Sequence, residues 1–120
     1  MARRVLVVDD DADLLSLLTF AFTIAGGWEV LGADGVAAAA EHLDAAEVDV
    51  IVTDGELGDG SGHDVLASSG DTPVVLLSGS VDGPADTLLP QPPFAAAVAK
   101  PFNPLTLADL VGSLVDGGRS

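Results

Sequence analysis

Cysteine is absent from this 120-residue chain, which excludes disulfides, zinc–thiolate centres and thiol nucleophiles. Basic residues are scarce: four Lys and Arg stand against 19 Asp and Glu, a net charge of −15. No basic patch can meet nucleic-acid phosphates or an anionic membrane surface. The same balance suits divalent cations and partners with a basic surface. Aromatics are few, and Trp28, Phe94 and Phe102 are too scattered for base stacking; core packing is their default. Long apolar runs are missing too. Leu14 to Ile24 is interrupted by Ser16, Thr19 and Thr23, and is shorter than the about 20 residues that span a bilayer. Val5 to Val8, preceded by Arg3 and Arg4, is too short for a secretory signal and runs into three aspartates. Lack of cysteine accords with a cytoplasmic location.

What is present is ample apolar material. A hydrophobic fraction of 48% can build a core, so the chain reads as one domain, residues 1–120, with a frayed tail at 116–120. Short β-type runs alternate with helical patterns, which predicts an α/β fold around a parallel sheet. Strands are expected at Arg4 to Val8, Trp28 to Leu31, Asp49 to Thr53, Pro73 to Leu77 and Ala95 to Ala99. The first helix starts at Asp11 or Asp13 and ends at Gly26-Gly27, with Leu14, Leu17, Leu18, Ala21 and Ala25 inward. The second is capped by Asp34, with Val36, Ala39, Ala40 and Leu43 inward; a short third covers Gly62 to Ser68. The last is capped by Asn103 ahead of Pro104, with Leu107, Leu110, Val111 and Leu114 inward. The crossover before the fifth strand reads poorly. Pro84 can open a helix, but Pro90 ends it near Leu89, leaving one or two turns and an extended segment.

The strand ends carry the chemistry. Asp9-Asp10-Asp11 follow the first strand, Asp54 ends the third, and Lys100 follows the fifth. If these strands lie parallel and adjacent, three carboxylates and a lysine meet at one sheet edge. Clustered carboxylates repel unless a cation joins them, and a lysine beside them suits a phosphoryl group. Asp11 is left as a helix cap. Asp54 before Gly55 is otherwise an ordinary turn residue, and Ser78 taken singly is an ordinary loop hydroxyl. Lys100, the only lysine in the chain and placed after an apolar strand, is harder to dismiss, its bland reading being a solvated strand-end lysine.

With Asp9-Asp10, Asp54, Ser78 and Lys100-Pro101 in that order, the chain resembles the bacterial two-component response-regulator receiver domain, from Arg3 to Val115. The resemblance implies a flavodoxin-like doubly wound sheet of five parallel strands, order 2-1-3-4-5. It implies a phosphoacceptor in two-component or phosphorelay signalling, not a turnover enzyme: Asp54 takes a phosphoryl group from a histidine kinase or phosphotransfer protein. It implies Mg²⁺ held by Asp9, Asp10, Asp54 and the backbone carbonyl of Glu56, with Ser78 and Lys100 on the phosphoryl oxygens. Mg²⁺ takes oxygen ligands and keeps several waters, so this donor set suffices. Lys100-Pro101 resembles a bond that is cis in the family. The first helix is where donor proteins dock in the family, so Leu15 and Phe22 are expected to form that surface. The resemblance also implies altered binding to a protein partner as the downstream effect.

Four departures bear on output. Gly58 replaces a proline, so the loop after Asp54 is expected to be looser. Ala97 replaces a coupled aromatic. Prolines break the fourth helix, leaving it short or irregular, and the Asp54–Ser78 span is short. A degenerate receiver acting as a phosphorylation-independent binding module is the alternative. A phosphatase reading is weaker, because Glu56 stands where a second Asp would act as acid and base. Within DGELGDGSGHD, Asp59 and Asp64 do not match a calcium loop. His42 and His63 read as surface residues.

Overall fold

Val5, Leu6, Val7 and Val8 have no solvent exposure and form most of β1 (Arg4–Val8) in the computed structural model, which describes residues 3–80, 83–84 and 86–117. An unbroken apolar strand of this kind belongs inside a parallel sheet covered on both faces. After β1 come α1 (Ala12–Gly26), β2 (Glu29–Ala33), α2 (Val36–Ala45), β3 (Val50–Asp54), β4 (Glu56–Leu57), β5 (Gly60–Ser61), α3 (Gly62–Ala67), β6 (Val74–Ser78), β7 (Ala96–Ala99) and α4 (Pro104–Gly117).

Side chains alternate across a strand. Val5 and Val7 therefore join a core with Leu18 and Phe22 of α1 and Leu107 and Val111 of α4, while Leu6 and Val8 join one with Ala39 of α2 and Val65 of α3. The sheet runs β2-β1-β3-β6-β7, with every neighbouring pair parallel. With the small antiparallel hairpin β4–β5 set aside, this is the expected flavodoxin-like order 2-1-3-4-5. Parallel register aligns the carboxyl ends: Val8 pairs with Thr53, Asp54 with Leu77, and Ser78 with Ala99.

Both ends of α1 follow the expected capping. The Asp11 carboxylate accepts from the Asp13 and Leu14 N–H groups, and Gly27 turns left-handed at φ 63°. The inward face differs from expectation. Leu18, Ala21 and Phe22 are buried, whereas Leu17 is 49% exposed and Ala25 is exposed. The helix is apolar nearly all round, so periodicity alone could not set its rotation. Tertiary contacts set it instead: Phe22 meets the buried Trp28 ring edge-on at 5.8 Å, and Leu15 lies over Gly32 of β2. In α2, Ala39 is buried and Val36 and Leu43 pack against the core, while Ala40 is half-buried.

Among the described residues the expected short crossover helix is absent. Between β6 and β7 no described residue is helical. Instead Leu89 forms an antiparallel bridge with Ala97, each N–H donating to the other's carbonyl at 2.8 Å. Leu88 packs on the core, and the Asp86 carboxylate accepts from the Asn103 N–H at 2.8 Å. Pro84 and Pro90 leave too few residues between them to repay helix nucleation, so the segment satisfies its backbone on the sheet edge.

At the far end, α4 keeps its Asn103 cap, whose side-chain oxygen accepts from Leu105 and Thr106, and Leu107, Ala108, Val111 and Val115 are buried. Of the tail at 116–120, Asp116 is helical and pairs with Arg3 at 3.1 Å, while 118–120 lie outside the described residues. Arg3 also stacks over Trp28, 4.3 Å from the ring centroid. No helix among the described residues is long and apolar enough to cross a membrane.

Candidate functional site

Asp9 leaves β1 at its carboxyl end and is 1% exposed, a costly place for a carboxylate. One of its oxygens accepts from the Asp11 N–H at 2.8 Å; the other is buried without a hydrogen-bond partner. Burial pushes the Asp9 carboxyl above its ordinary range, the Asp11 N–H opposes this, and nearby Asp54 adds to it. Asp10 is exposed beside it, and Asp54 ends the adjacent strand β3. One oxygen from each of Asp9, Asp10 and Asp54 lies within 4.8 Å of the others. Oxygen donors alone, with one buried oxygen lacking a partner, fit a hard divalent cation of the magnesium class.

Lys100, at the end of β7, donates from Nζ to Asp54 Oδ1 at 2.8 Å. Ser78 ends β6 between them in the sheet, and its Oγ accepts from the Ser80 N–H at 3.0 Å. The hydroxyl therefore keeps its own proton to donate. A cleft of about 590 Å³ opens over these groups, lined by Asp10, Asp54, Glu56, Ser78, Ser80 and Lys100. All six residues singled out in the sequence thus meet at one end of the sheet, with Asp9 behind the cleft wall.

The loop after Asp54, which carries Gly58, closes as the β4–β5 hairpin. The Gly62 N–H donates to the Gly55 carbonyl at 3.1 Å, outside the Glu56–Ser61 pair. That makes Glu56–Ser61 the non-hydrogen-bonded kind of antiparallel pair. The hairpin ladder consequently does not use the Glu56 carbonyl. At the hairpin turn, the Asp59 carboxylate accepts from the Val36 and Ala37 N–H groups at 2.8 and 3.1 Å. Asp34 was expected to cap α2; the N-cap is Gly35, which has no side chain, and Asp59 supplies the missing acceptor. No local signal could reveal this, because the partners lie 22 and 23 residues apart.

The two expected docking residues of α1 are not its most exposed apolar ones. Phe22 has no exposure and so cannot serve as expected for docking, and Leu15 is half-buried against Gly32. The large solvent-facing apolar residues of α1 are Leu17, Phe20 and Ile24, at 49%, 59% and 55% exposure. An apolar cleft of about 420 Å³ opens at Leu17 beside Lys100, lined by Leu14, Leu17, Phe102 and Pro104. Ala97 is buried and its backbone is taken by Leu89. His42 bonds the Gly32 carbonyl at 3.0 Å and His63 meets the Phe94 ring at 4.9 Å; neither lines the acidic cleft. The Lys100–Pro101 peptide bond is cis, as the resemblance implied, and so is Pro92–Pro93.

The family model for the response regulator receiver domain matches residues 5–112. Comparison with curated protein sequences gave no match. Among solved structures, the chemotaxis response regulator CheY4 of Vibrio cholerae is similar with a TM-score of 0.78 at 22% identity, over 95% of this chain and 99% of its own. A CheY-like receiver domain protein from Methanospirillum hungatei gives 0.82 at 19% identity, over 99% of this chain and 98% of its own. The receiver domain of Francisella response regulator 1452 gives 0.79 at 22% identity, over 97% and 98%. At these identities the likeness is one of fold.

Proposed function

Because the chain belongs to the response regulator receiver domain family, we propose that it takes a phosphoryl group onto Asp54 and thereby changes its binding to a protein partner. The observation that carries this is the convergence of Asp9, Asp10 and Asp54 within 4.8 Å, with Lys100 at 2.8 Å from Asp54. In the reaction an Asp54 oxygen forms a bond to phosphorus as the bond to the donor's imidazole nitrogen, or to a small donor's leaving oxygen, breaks. The product is an acyl phosphate.

Asp9, Asp10, Asp54 and the Glu56 carbonyl would hold Mg²⁺, which would supply positive charge against the repulsion between carboxylate and phosphoryl oxygens. Placement and charge are most of what such a transfer asks of the protein. Lys100 neutralises one phosphoryl oxygen, and Ser78 donates its hydroxyl proton to another. Drawing Ser78 toward the phosphoryl group pulls on the turn to Ser80, and so on the segment that bridges Ala97 through Leu89. That route does not need the aromatic that Ala97 replaces.

The donor is a histidine kinase or phosphotransfer protein meeting α1 through Leu17, Phe20 and Ile24, beside the apolar cleft next to Lys100. Turnover of an external substrate is not part of this reading. A cytoplasmic location is, in keeping with the lack of cysteine.

Labelling with acetyl phosphate, with and without Mg²⁺, on wild type and Asp54→Asn tests the proposal. Phosphorylation that needs both Asp54 and the metal is the expected result. An unlabelled wild type points to a binding module that no longer takes phosphate. Sustained phosphate release from many small esters points to a phosphatase.

A further inference from the structure

The first turn of a helix presents N–H groups with no partner inside the helix. α2 starts after Gly35, which offers no side chain to meet them. Asp59 does so from a separate element, at 2.8 Å to Val36 and 3.1 Å to Ala37. The fit is close on both sides. A Cβ at Gly35 would stand 2.5 Å from Asp59 Oδ1, and one at Gly60 would stand 2.9 Å from Val36 Cγ2. Both glycines are what lets the hairpin turn seat on the helix. The N–H donors also hold the Asp59 carboxyl below its ordinary range.

The hairpin so anchored is the one that carries Glu56. Its other fixed points are Leu57, buried in the core on the α2 and α3 side, and the Gly62–Gly55 hydrogen bond at its base. Gly58, at the turn, contributes no stiffness of its own. We propose that Asp59 is a positioning residue for the cation site: by tying the β4–β5 turn to the first turn of α2, it fixes the Glu56 carbonyl relative to Asp10 and Asp54. The inference rests on the reading of that site as a Mg²⁺ site. It adds a residue that touches neither metal nor phosphoryl group, and it makes α2 part of the site's frame.

The tether and the helix cap are separable. Removing the Asp59 side chain clears the space over Gly35, where a serine can then cap α2 locally without touching the hairpin. Calorimetric titration of Mg²⁺ into wild type, Asp59→Ala and the double variant Asp59→Ala/Gly35→Ser, with thermal melting of each, tests the proposal. Asp59→Ala is expected to bind Mg²⁺ about tenfold more weakly, the lower end of what loss of an outer supporting contact costs a metal site. The double variant is expected to regain melting temperature but not Mg²⁺ affinity. Unchanged affinity in Asp59→Ala overturns the proposal. So does recovery of both properties in the double variant, which reduces Asp59 to a helix cap. If Asp59→Ala does not fold, the double variant carries the test alone. A wild type that binds no Mg²⁺ fails differently, by removing the site itself.

Discussion

Lys100 Nζ and Asp54 Oδ1, 2.8 Å apart, join the ends of β7 and β3 across the intervening strand β6. The lysine is the only one in the chain. Its ammonium opposes a cation at the carboxylates and favours an incoming phosphoryl group. Lys100→Met is therefore expected to tighten Mg²⁺ binding while slowing acetyl phosphate labelling by about a hundredfold, as removal of a single charge-stabilising donor does elsewhere. Titration calorimetry and initial labelling rates read the two effects separately. Weaker Mg²⁺ binding in the variant would place the lysine in a structural role.

Asp9 is held almost out of solvent with an unpaired oxygen, and its carboxyl is pushed upward. A raised carboxyl means that the ionised form costs stability at neutral pH when no metal is bound. Asp9→Asn is expected to raise the metal-free melting temperature and to reduce the further rise that Mg²⁺ brings to wild type. Melting curves with and without Mg²⁺ check both. A lowered metal-free midpoint contradicts the account.

Asp59 runs the other way. Its carboxyl is held below the ordinary 3.8 by the Val36 and Ala37 N–H groups. A depressed value contributes stability above the unfolded-state value, and that contribution is lost as pH falls through the folded one. Wild type is therefore expected to exceed Asp59→Ala in stability at neutral pH. The gap should narrow below about pH 4. Chemical denaturation of both proteins across that range measures it; a gap independent of pH would mean that the carboxylate's charge is irrelevant to the cap.

On α1, Phe20 and Phe22 separate surface from core. Phe20→Asp is expected to slow phosphoryl transfer from a protein donor several-fold or more while leaving acetyl phosphate labelling unchanged. Phe22→Ala is expected to destabilise the fold by about 3–5 kcal/mol, the usual cost of emptying a core phenylalanine site. Parallel donor assays and denaturation curves distinguish the two. Equal slowing with both donors for Phe20→Asp argues against docking there.

Asp9, Asp10, Asp54 and Lys100 were legible in the sequence because each stands at the end of an apolar run, whereas Ser78 was legible only through the family resemblance. In a parallel sheet, strand ends on one side share one edge. The caps at Asp11, Gly27 and Asn103 were legible for a similar reason: each acts on backbone within a few residues.

The rotation of α1 was not legible. Its apolar residues wrap the helix, so only contact with Trp28 and Gly32 decides that Phe22 is buried and Leu17 exposed. The crossover was half legible: prolines forbade a long helix, but the Leu89–Ala97 bridge depends on where an unpaired sheet edge lies in space.

By itself, the order of residues along this chain determined where the strands and helices fall, the parallel α/β class and the acidic and basic groups at the strand ends, since those follow from periodicity and from turn and cap chemistry acting over a few residues; the strand order was implied only by the resemblance. Tertiary structure alone decided which face of α1 meets water, what covers the edge of β7, and that Asp59 holds α2 to the hairpin beside the site. Those three depend on groups distant in sequence meeting in space, and no local pattern encodes such a meeting.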